Sequence, residues 1–522
     1  MVIAVVLFAL AGALRADDEA SREALAAKAE APATSPAAGA AESARALRFE
    51  PFSPVEVDQF LAKAREAEAL KDPLQRCLAY PDPPRSHWNA DAIKAYCQYH
   101  HLAIIDLAQL HALIENGHSA ELDRRLGKAL QAQLTRPESQ GLVDHIYQNV
   151  FGNGSMELRY LLDAWKRDSP RSAFAYAASG MAYAAMASEA RGTDYIRNTP
   201  PDAILAMDRL TEEADADLRR ALALDPRLTP TYATMMKIGR MALGRRYALD
   251  ARAAGFKVAP ANFYLYGEAS ALAEPKWGGS MAELQALRKQ ALLHARQNPL
   301  LYLVATETSL SEFDFYSCRC ATPPELARVM DVLARPASYM TLASAGDSAD
   351  FAQERGIAAV YYSEAIRFGA RPNDRLSRAF ELVPLGYPSW AHDEITAVAP
   401  ALPNRAAVYR GLAYADLQLE ENTRAMGELE QAVRLDNTDA WAWDSLGALY
   451  ADKAQWDKAW DAADQLIRLQ PDDPDGWRLR AQVQIEQPRA GLADTVQAFT
   501  TRFGGRKDQR DALEHMREAL GK

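Results

Sequence analysis

A spacing of 34 residues, counted from Ala440, organises the last part of this chain. Trp443, Leu446, Gly447, Tyr450, Ala459, Ala463, Leu466 and Pro471 stand at positions 4, 7, 8, 11, 20, 24, 27 and 32 of the period. One period earlier, Tyr409, Leu412, Ala413, Ala425, Leu429 and Ala432 occupy positions 4, 7, 8, 20, 24 and 27, with Asn437 in place of the proline. One period later, Trp477, Ala481 and Ala493 keep the register, while Pro488 and polar residues degrade it. A unit of this length is a helical hairpin too small to bury its own apolar face, so it must stack on its neighbours. Small residues at 8 and 20 let the two helices approach, and large ones at 4, 7 and 11 fill the space between hairpins. Proline at 32 ends the second helix. The chain is thereby committed to stacked helices.

This is the tetratricopeptide pattern, and the expected fold class is all-α, an α-solenoid of tetratricopeptide-like helical hairpins. The units fall at 406–439, 440–473 and 474–507, and Asp508–Leu520 reads as an amphipathic capping helix. Upstream, Tyr176, Gly180 and Tyr183 fit positions 4, 8 and 11, and Ala214, Leu218, Ala221 and Pro226 fit 20, 24, 27 and 32. Tyr183 and Ala214 are 31 apart instead of nine, which predicts a 22-residue insertion around Ala190–Met207. Further units restart at Tyr232 and Tyr266, the latter five residues too long, with Lys276-Trp277-Gly278-Gly279-Ser280 supplying the excess. Between Leu300 and Pro400 helices are expected without a register, either as degenerate hairpins or as an irregular bundle. Near the start, Ser53-Pro54-Val55-Glu56 reads as a capping box opening a helix to about Leu70. Asn89 caps another, predicted to run to Ile114 and stop at Asn116-Gly117.

Composition narrows the class. Lys+Arg 59 against Asp+Glu 70 leaves a net charge of −11, which argues against a generic nucleic-acid binder. The run from Val2 to Leu14 reads as the apolar core of a secretory signal, with small residues at Ala11-Gly12-Ala13, although no Lys or Arg precedes it. The alternative is a buried helix. Segments 1–16 as signal peptide, 17–48 as a disordered Ala/Pro/Ser/Glu-rich linker, 49–400 as a helical domain and 401–522 as repeats plus cap complete the expected organisation. The expected location is the periplasm, with no membrane span after cleavage. Four cysteines in an exported chain permit two disulfides. Cys77 and Cys97 would clamp a proline-rich helical hairpin; the alternative is two free buried thiols. Cys318 and Cys320 form either a second, strained disulfide or a pair of thiolates for a metal. No further ligands at zinc-finger spacing accompany them, so no metal is expected.

The stretches Trp165-Lys166-Arg167-Asp168-Ser169-Pro170, Ala190-Arg191-Gly192, Thr199-Pro200 and Lys276-Trp277-Gly278-Gly279-Ser280 resemble the bacterial domain-of-unknown-function family 4034. The resemblance spans about residues 140–400, with the repeats following it. It implies an exported all-helical protein and carries no catalytic residue.

No His-Glu-x-x-His, Gly-x-Ser-x-Gly, Walker A or Gly-x-Gly-x-x-Gly sequence is present, and no cofactor is expected. Phe151-Gly152-Asn153-Gly154-Ser155 lacks the lysine of a phosphate loop and reads as a turn into a helix at Met156. His100, His101, His111 and His118 read as ordinary polar surface or core. A non-enzymatic scaffold that binds a protein or peptide on its concave face is the expected function. A neutralising, immunity-type protein for a secreted toxin is the alternative within binding. A hydrolase or redox protein centred on Cys318 and Cys320 is the alternative within catalysis. Groove positions select Arg410, Tyr414 and Leu417, then Trp441, Asp444 and Asp452, then Arg478 and Gln482. Arg410, Asp444 and Arg478 share position 5, forming either a peptide-binding ladder or an internal salt-bridge network. In the insertion, Arg191, Tyr195 and Arg197 are of types enriched at binding hot spots, and Trp277 joins them as a candidate; the other reading is a structural plug.

Overall fold

The computed structural model describes residues 48–521 apart from 194–195, 314, 316–319, 370 and 488. The expected signal peptide and nearly all of the linker lie outside the described residues. Ser53 and Glu56 form the capping box that opens α1 (Pro54–Glu68). Asp72 and Asn89 cap α2 (Pro73–Ala79) and α3 (Ala90–His100). The single helix expected from Asn89 to Ile114 is broken at His101–Asp106. Asp106 accepts from the Gln109 amide and starts a separate α4 (Leu107–Glu115), so a second side-chain cap interrupts the run. Next come α5 (Ser119–Thr135), α6 (Leu142–Ile146) with a π-helical turn Tyr147–Phe151, and α7 (Met156–Asp168), capped by Ser155.

The long pair α8 (Ala173–Arg191) and α9 (Pro201–Leu224) corrects the expected insertion. Their 19 and 24 residues compare with 13 and 14 in a regular unit, so most of the excess extends the helices. Only 192–200 connect them. Alanine-rich sequence continues a helix without any boundary signal, which is why spacing alone suggested a loop. Gly180 sits where the pair is tightest: a Cβ there would meet Leu218 Cγ at 2.6 Å and the Ala214 carbonyl oxygen at 3.1 Å. Helix starts at α10 (Thr229–Ile238) and α12 (Phe263–Ala273) continue the register, with α11 (Arg245–Val258) and α13 (Met281–His294) as their partners.

The region without a readable register is helical too. It comprises α14 (Leu301–Ser311), α15 (Pro323–Leu333), α16 (Tyr339–Phe351), α17 (Arg355–Gly369), α18 (Pro372–Leu382) and α19 (Pro388–Val398). Three hairpins follow: α20 (Ala406–Gln418) with α21 (Asn422–Leu435), α22 (Ala440–Asp452) with α23 (Trp456–Leu469), and α24 (Pro474–Glu486) with α25 (Leu492–Phe503). The helix α26 (Arg510–Leu520) closes the series and buries Leu513 and Met516. No strand occurs among the described residues, and the protein is an all-α helical-repeat solenoid.

One core joins distant parts of the sequence. Phe52, Phe60, Leu61, Tyr96 and Cys97 pack in the same apolar cluster as Leu342, Val360, Tyr361, Leu376 and Ile395. The first hairpins therefore lie against α15–α19. Trp88 Nε1 donates to the Leu333 carbonyl at 2.9 Å, and the His87 amide donates to the Ala334 carbonyl at 2.8 Å.

Candidate functional site

The face carried by the first helices of the repeats gathers three of the expected residues. On α20, the Arg410 guanidinium lies 5.2 Å from the Trp441 ring centre and 5.9 Å from that of Phe380. Tyr414, one turn further along, meets Trp441 edge-on at 5.6 Å. Arg410 is exposed, and both aromatic residues are partly exposed. Arg410 and Arg478 do not build a ladder through Asp444. Arg410 pairs with Asp439, the cap of α22, at 3.4 Å, and Arg478 pairs with Asp475 on its own helix. Asp444 forms no ion pair among the described residues. Burial pushes its carboxyl up, Asp475 adds to this, and Arg478 opposes it.

Two other expected residues also meet. Arg191, the last residue of α8, lies 5.8 Å from the centre of Trp277, which Arg240 covers from 4.8 Å. Arg197 is exposed on the 3₁₀ turn Ile196–Asn198, while Tyr195 lies outside the described residues. Cys320 is buried and disulfide-bonded. Cys318 lies outside the described residues.

Cys77 and Cys97 are bridged, with Cα atoms 5.8 Å apart, and clamp α2 to α3. Closing a loop of this size contributes about 3 kcal/mol by restricting the unfolded chain. The clamped hairpin is tied down by buried charge. Arg378, fully buried on α18, donates to Glu68 Oε1 at 2.7 Å, Glu394 Oε2 at 3.0 Å, Tyr80 Oη at 3.1 Å and Ser363 Oγ at 3.2 Å. Arg367 donates to the Cys77 carbonyl and to Asp82, both at 2.8 Å, and to Glu364 at 3.2 Å. Burial pulls the Glu68 carboxyl up, but Arg378 and Arg375 outweigh it, and the net shift is downward.

Between this hairpin and the helices around it lies a cavity of about 580 Å³. Its wall is largely a set of rings. Tyr96 meets His100 at 4.5 Å, Tyr99 meets His145 at 4.6 Å and Phe263 at 5.7 Å, and Tyr339 meets His100 at 5.6 Å. The Tyr339 amide donates to Tyr96 Oη at 3.2 Å, fixing one ring. Burial, with the nearby His145 and His101, holds the His100 imidazole down at about 4, so it is neutral at pH 7. His100 Nε2 is buried and makes no hydrogen bond among the described residues. Sequence reasoning missed this site. His145 and Tyr339 come from α6 and α16, and no local spacing links them to His100.

His392, Asp416 and Glu428, one from each of α19, α20 and α21, bring their ligand atoms within 4.8 Å of one another. Arg424 already donates twice to Asp416 at 2.9 Å, so a cation there would have to displace a guanidinium. Burial and Asp416 push the Glu428 carboxyl up to about 7.

Fold and surfaces together define a helical-repeat protein of tetratricopeptide-like hairpins. Within it, residues 106–245 match the family described as "Domain of unknown function (DUF4034)". The match begins earlier than the expected 140 and ends at Arg245, so Lys276–Ser280 lie beyond it. It spans α4 to the start of α11. No curated protein matches the chain. Among solved structures, MamA protein is similar at 17% identity, over 33% of this chain and 94% of that one, with a TM-score of 0.28. The Cut9–Hcn1 hetero-tetramer of the APC/C is similar at 13% identity, over 89% and 98%, with a TM-score of 0.33. The C-terminal part of a tetratricopeptide repeat-containing protein from Cytophaga hutchinsonii gives 10% identity, 48% and 99% coverage and a TM-score of 0.33. Among the described residues, no helix is long and apolar enough to cross a membrane.

Proposed function

We propose that this protein is an exported, non-enzymatic scaffold that holds a segment of a partner protein on the face formed by α20, α22 and α24. The observation that carries the reading is the Arg410–Tyr414–Trp441 cluster. It offers a cation and two rings to solvent on adjacent helices that a rigid stack holds in register. Arginine and aromatic residues are the types that dominate binding energy at protein interfaces, because they bury much area at small entropic cost. The Cys77–Cys97 bridge supports an oxidising compartment. Glutathione and thioredoxin would keep such a pair reduced in the cytosol.

The test is capture from an envelope extract with the mature protein and with the Arg410→Ala/Trp441→Ala variant. Both side chains lie at the surface of a helix face, so the variant should retain its helical circular dichroism. A partner band retained by the native protein and depleted at least tenfold by the variant is expected, from the loss of about 2 kcal/mol or more at a hot spot. Equal capture by both proteins would place the binding surface elsewhere.

A further inference from the structure

We propose that the cavity beside the disulfide-clamped hairpin is a binding site for a small aromatic acid: a planar ring carrying a carboxylate or similar anionic group. A volume of about 580 Å³ lies in the range of small-molecule sites and is far larger than a packing defect. The site is independent of the repeat face and is assembled from α1, α2, α3, α6 with the turn after it, α12, α16, α17 and α18.

The lining states the chemistry of the occupant. Tyr96, Tyr99, Tyr339 and Phe263 line the cavity and brace one another and His100 edge-on, so an occupant meets ring surface that is already held in place. Charge selects the substituent. Three arginines line the cavity, and two are already engaged: Arg367 by Asp82 and Glu364, and Arg375 by Glu394. The lining carboxylate, Glu68, is taken up by Arg378. Arg76 donates only to the Leu70 carbonyl, at 2.9 and 3.1 Å, and forms no ion pair among the described residues. It is the cation left to meet an anion.

The experiment uses the disulfide-intact protein and two probes with the same ring, 2-naphthoate and 2-naphthalenemethanol, titrated by calorimetry. Naphthoate is expected to bind more tightly than the alcohol. Arg76→Gln should weaken naphthoate by about tenfold, the scale of one charge-assisted hydrogen bond, and leave the alcohol unchanged. Tyr99→Ala should weaken both probes. Trp441→Ala, on the repeat face, should change neither, so failure here is separable from failure of the scaffold reading. Circular dichroism and thiol titration establish that each variant is folded and bridged. No binding of naphthoate to the native protein, or binding indifferent to Arg76→Gln and Tyr99→Ala, overturns the proposal. A blocked tripeptide ending in Phe forms a further arm. Binding of the tripeptide without naphthoate would mean that the cavity takes a chain terminus and not a small acid.

Discussion

The three C-terminal hairpins and the N-terminal hairpin are both helical pairs, but opposite means hold them. In α20–α25, Ala413, Ala425, Leu429, Leu446, Ala459 and Leu466 form an apolar seam between elements adjacent in sequence. Their ion pairs lie mostly at the surface, the exception being the buried Asp416, which Arg424 reaches from outside. The N-terminal hairpin, clamped internally by its disulfide, instead docks on helices about 300 residues away through apolar contacts and buried charges. A repeat adds stability by simple stacking, which is nearest-neighbour and tolerant. A long-range closure must specify one partner surface among many. Buried ions suit that role, because any misplacement leaves charge without a partner.

The comparison breaks most visibly at Arg378. Arg378→Met nearly keeps the volume and removes from the interior the cation that Glu68 and Glu394 share, so a loss of about 3–5 kcal/mol is expected. Chemical denaturation should show the N-terminal half unfolding first while the repeats persist. A loss under about 1 kcal/mol would mean that the apolar contacts alone seat the hairpin.

On the repeat side, Gly447→Val tests the seam. A Cβ there would meet Leu479 Cδ2 at 2.4 Å and Ala462 Cβ at 3.2 Å, and about 1–3 kcal/mol of overpacking strain is expected. The damage should remain within α22–α25, read as hydrogen exchange quickening there and not in α1–α3. Quickening across the whole chain would show the two regions to be one cooperative unit.

The effect that is smallest at neutral pH concerns protonation. The imidazole of His100 is held at about 4 in the fold, against 6.5 when free. Between those values the unfolded chain binds more protons than the folded one, so stability is full above pH 6.5 and is lost as pH falls toward 4. The slope should be at most about 1.4 kcal/mol per pH unit and absent from His100→Phe. An unchanged slope in the variant would assign acid sensitivity elsewhere, His145 being the neighbour also held down by burial.

Legibility in the sequence divided along the same line. Helices begin at Ala173, Thr229, Phe263, Ala406, Ala440 and Pro474, each the first position of a unit counted from its aromatic residue at position 4. That register is readable because every constraint acts within one hairpin. The link after Arg191 was not readable, since its flanking alanines extend helices as readily as they end them. Asp106 did carry a signal, a cap directly before Leu107, but the apolar run on both sides obscured it. Arg410, Tyr414 and Trp441 were legible as a surface because repeat position determines the outward face. Asp444 occupies the equivalent position, yet its neighbours Arg410 and Arg478 found closer carboxylates.

The sequence by itself determined the helical class, the period, the clamp between Cys77 and Cys97 and the exposed aromatic face of the repeats. Each follows from interactions within a few tens of residues, whose geometry the helix dictates. Only the tertiary structure decided that Glu68 and Tyr80 meet Arg378, and that His100, His145 and Tyr339 surround one cavity. Those meetings depend on the accumulated rotation of many stacked helices. Small angular increments compound along such a stack, and no local spacing of residues encodes their sum.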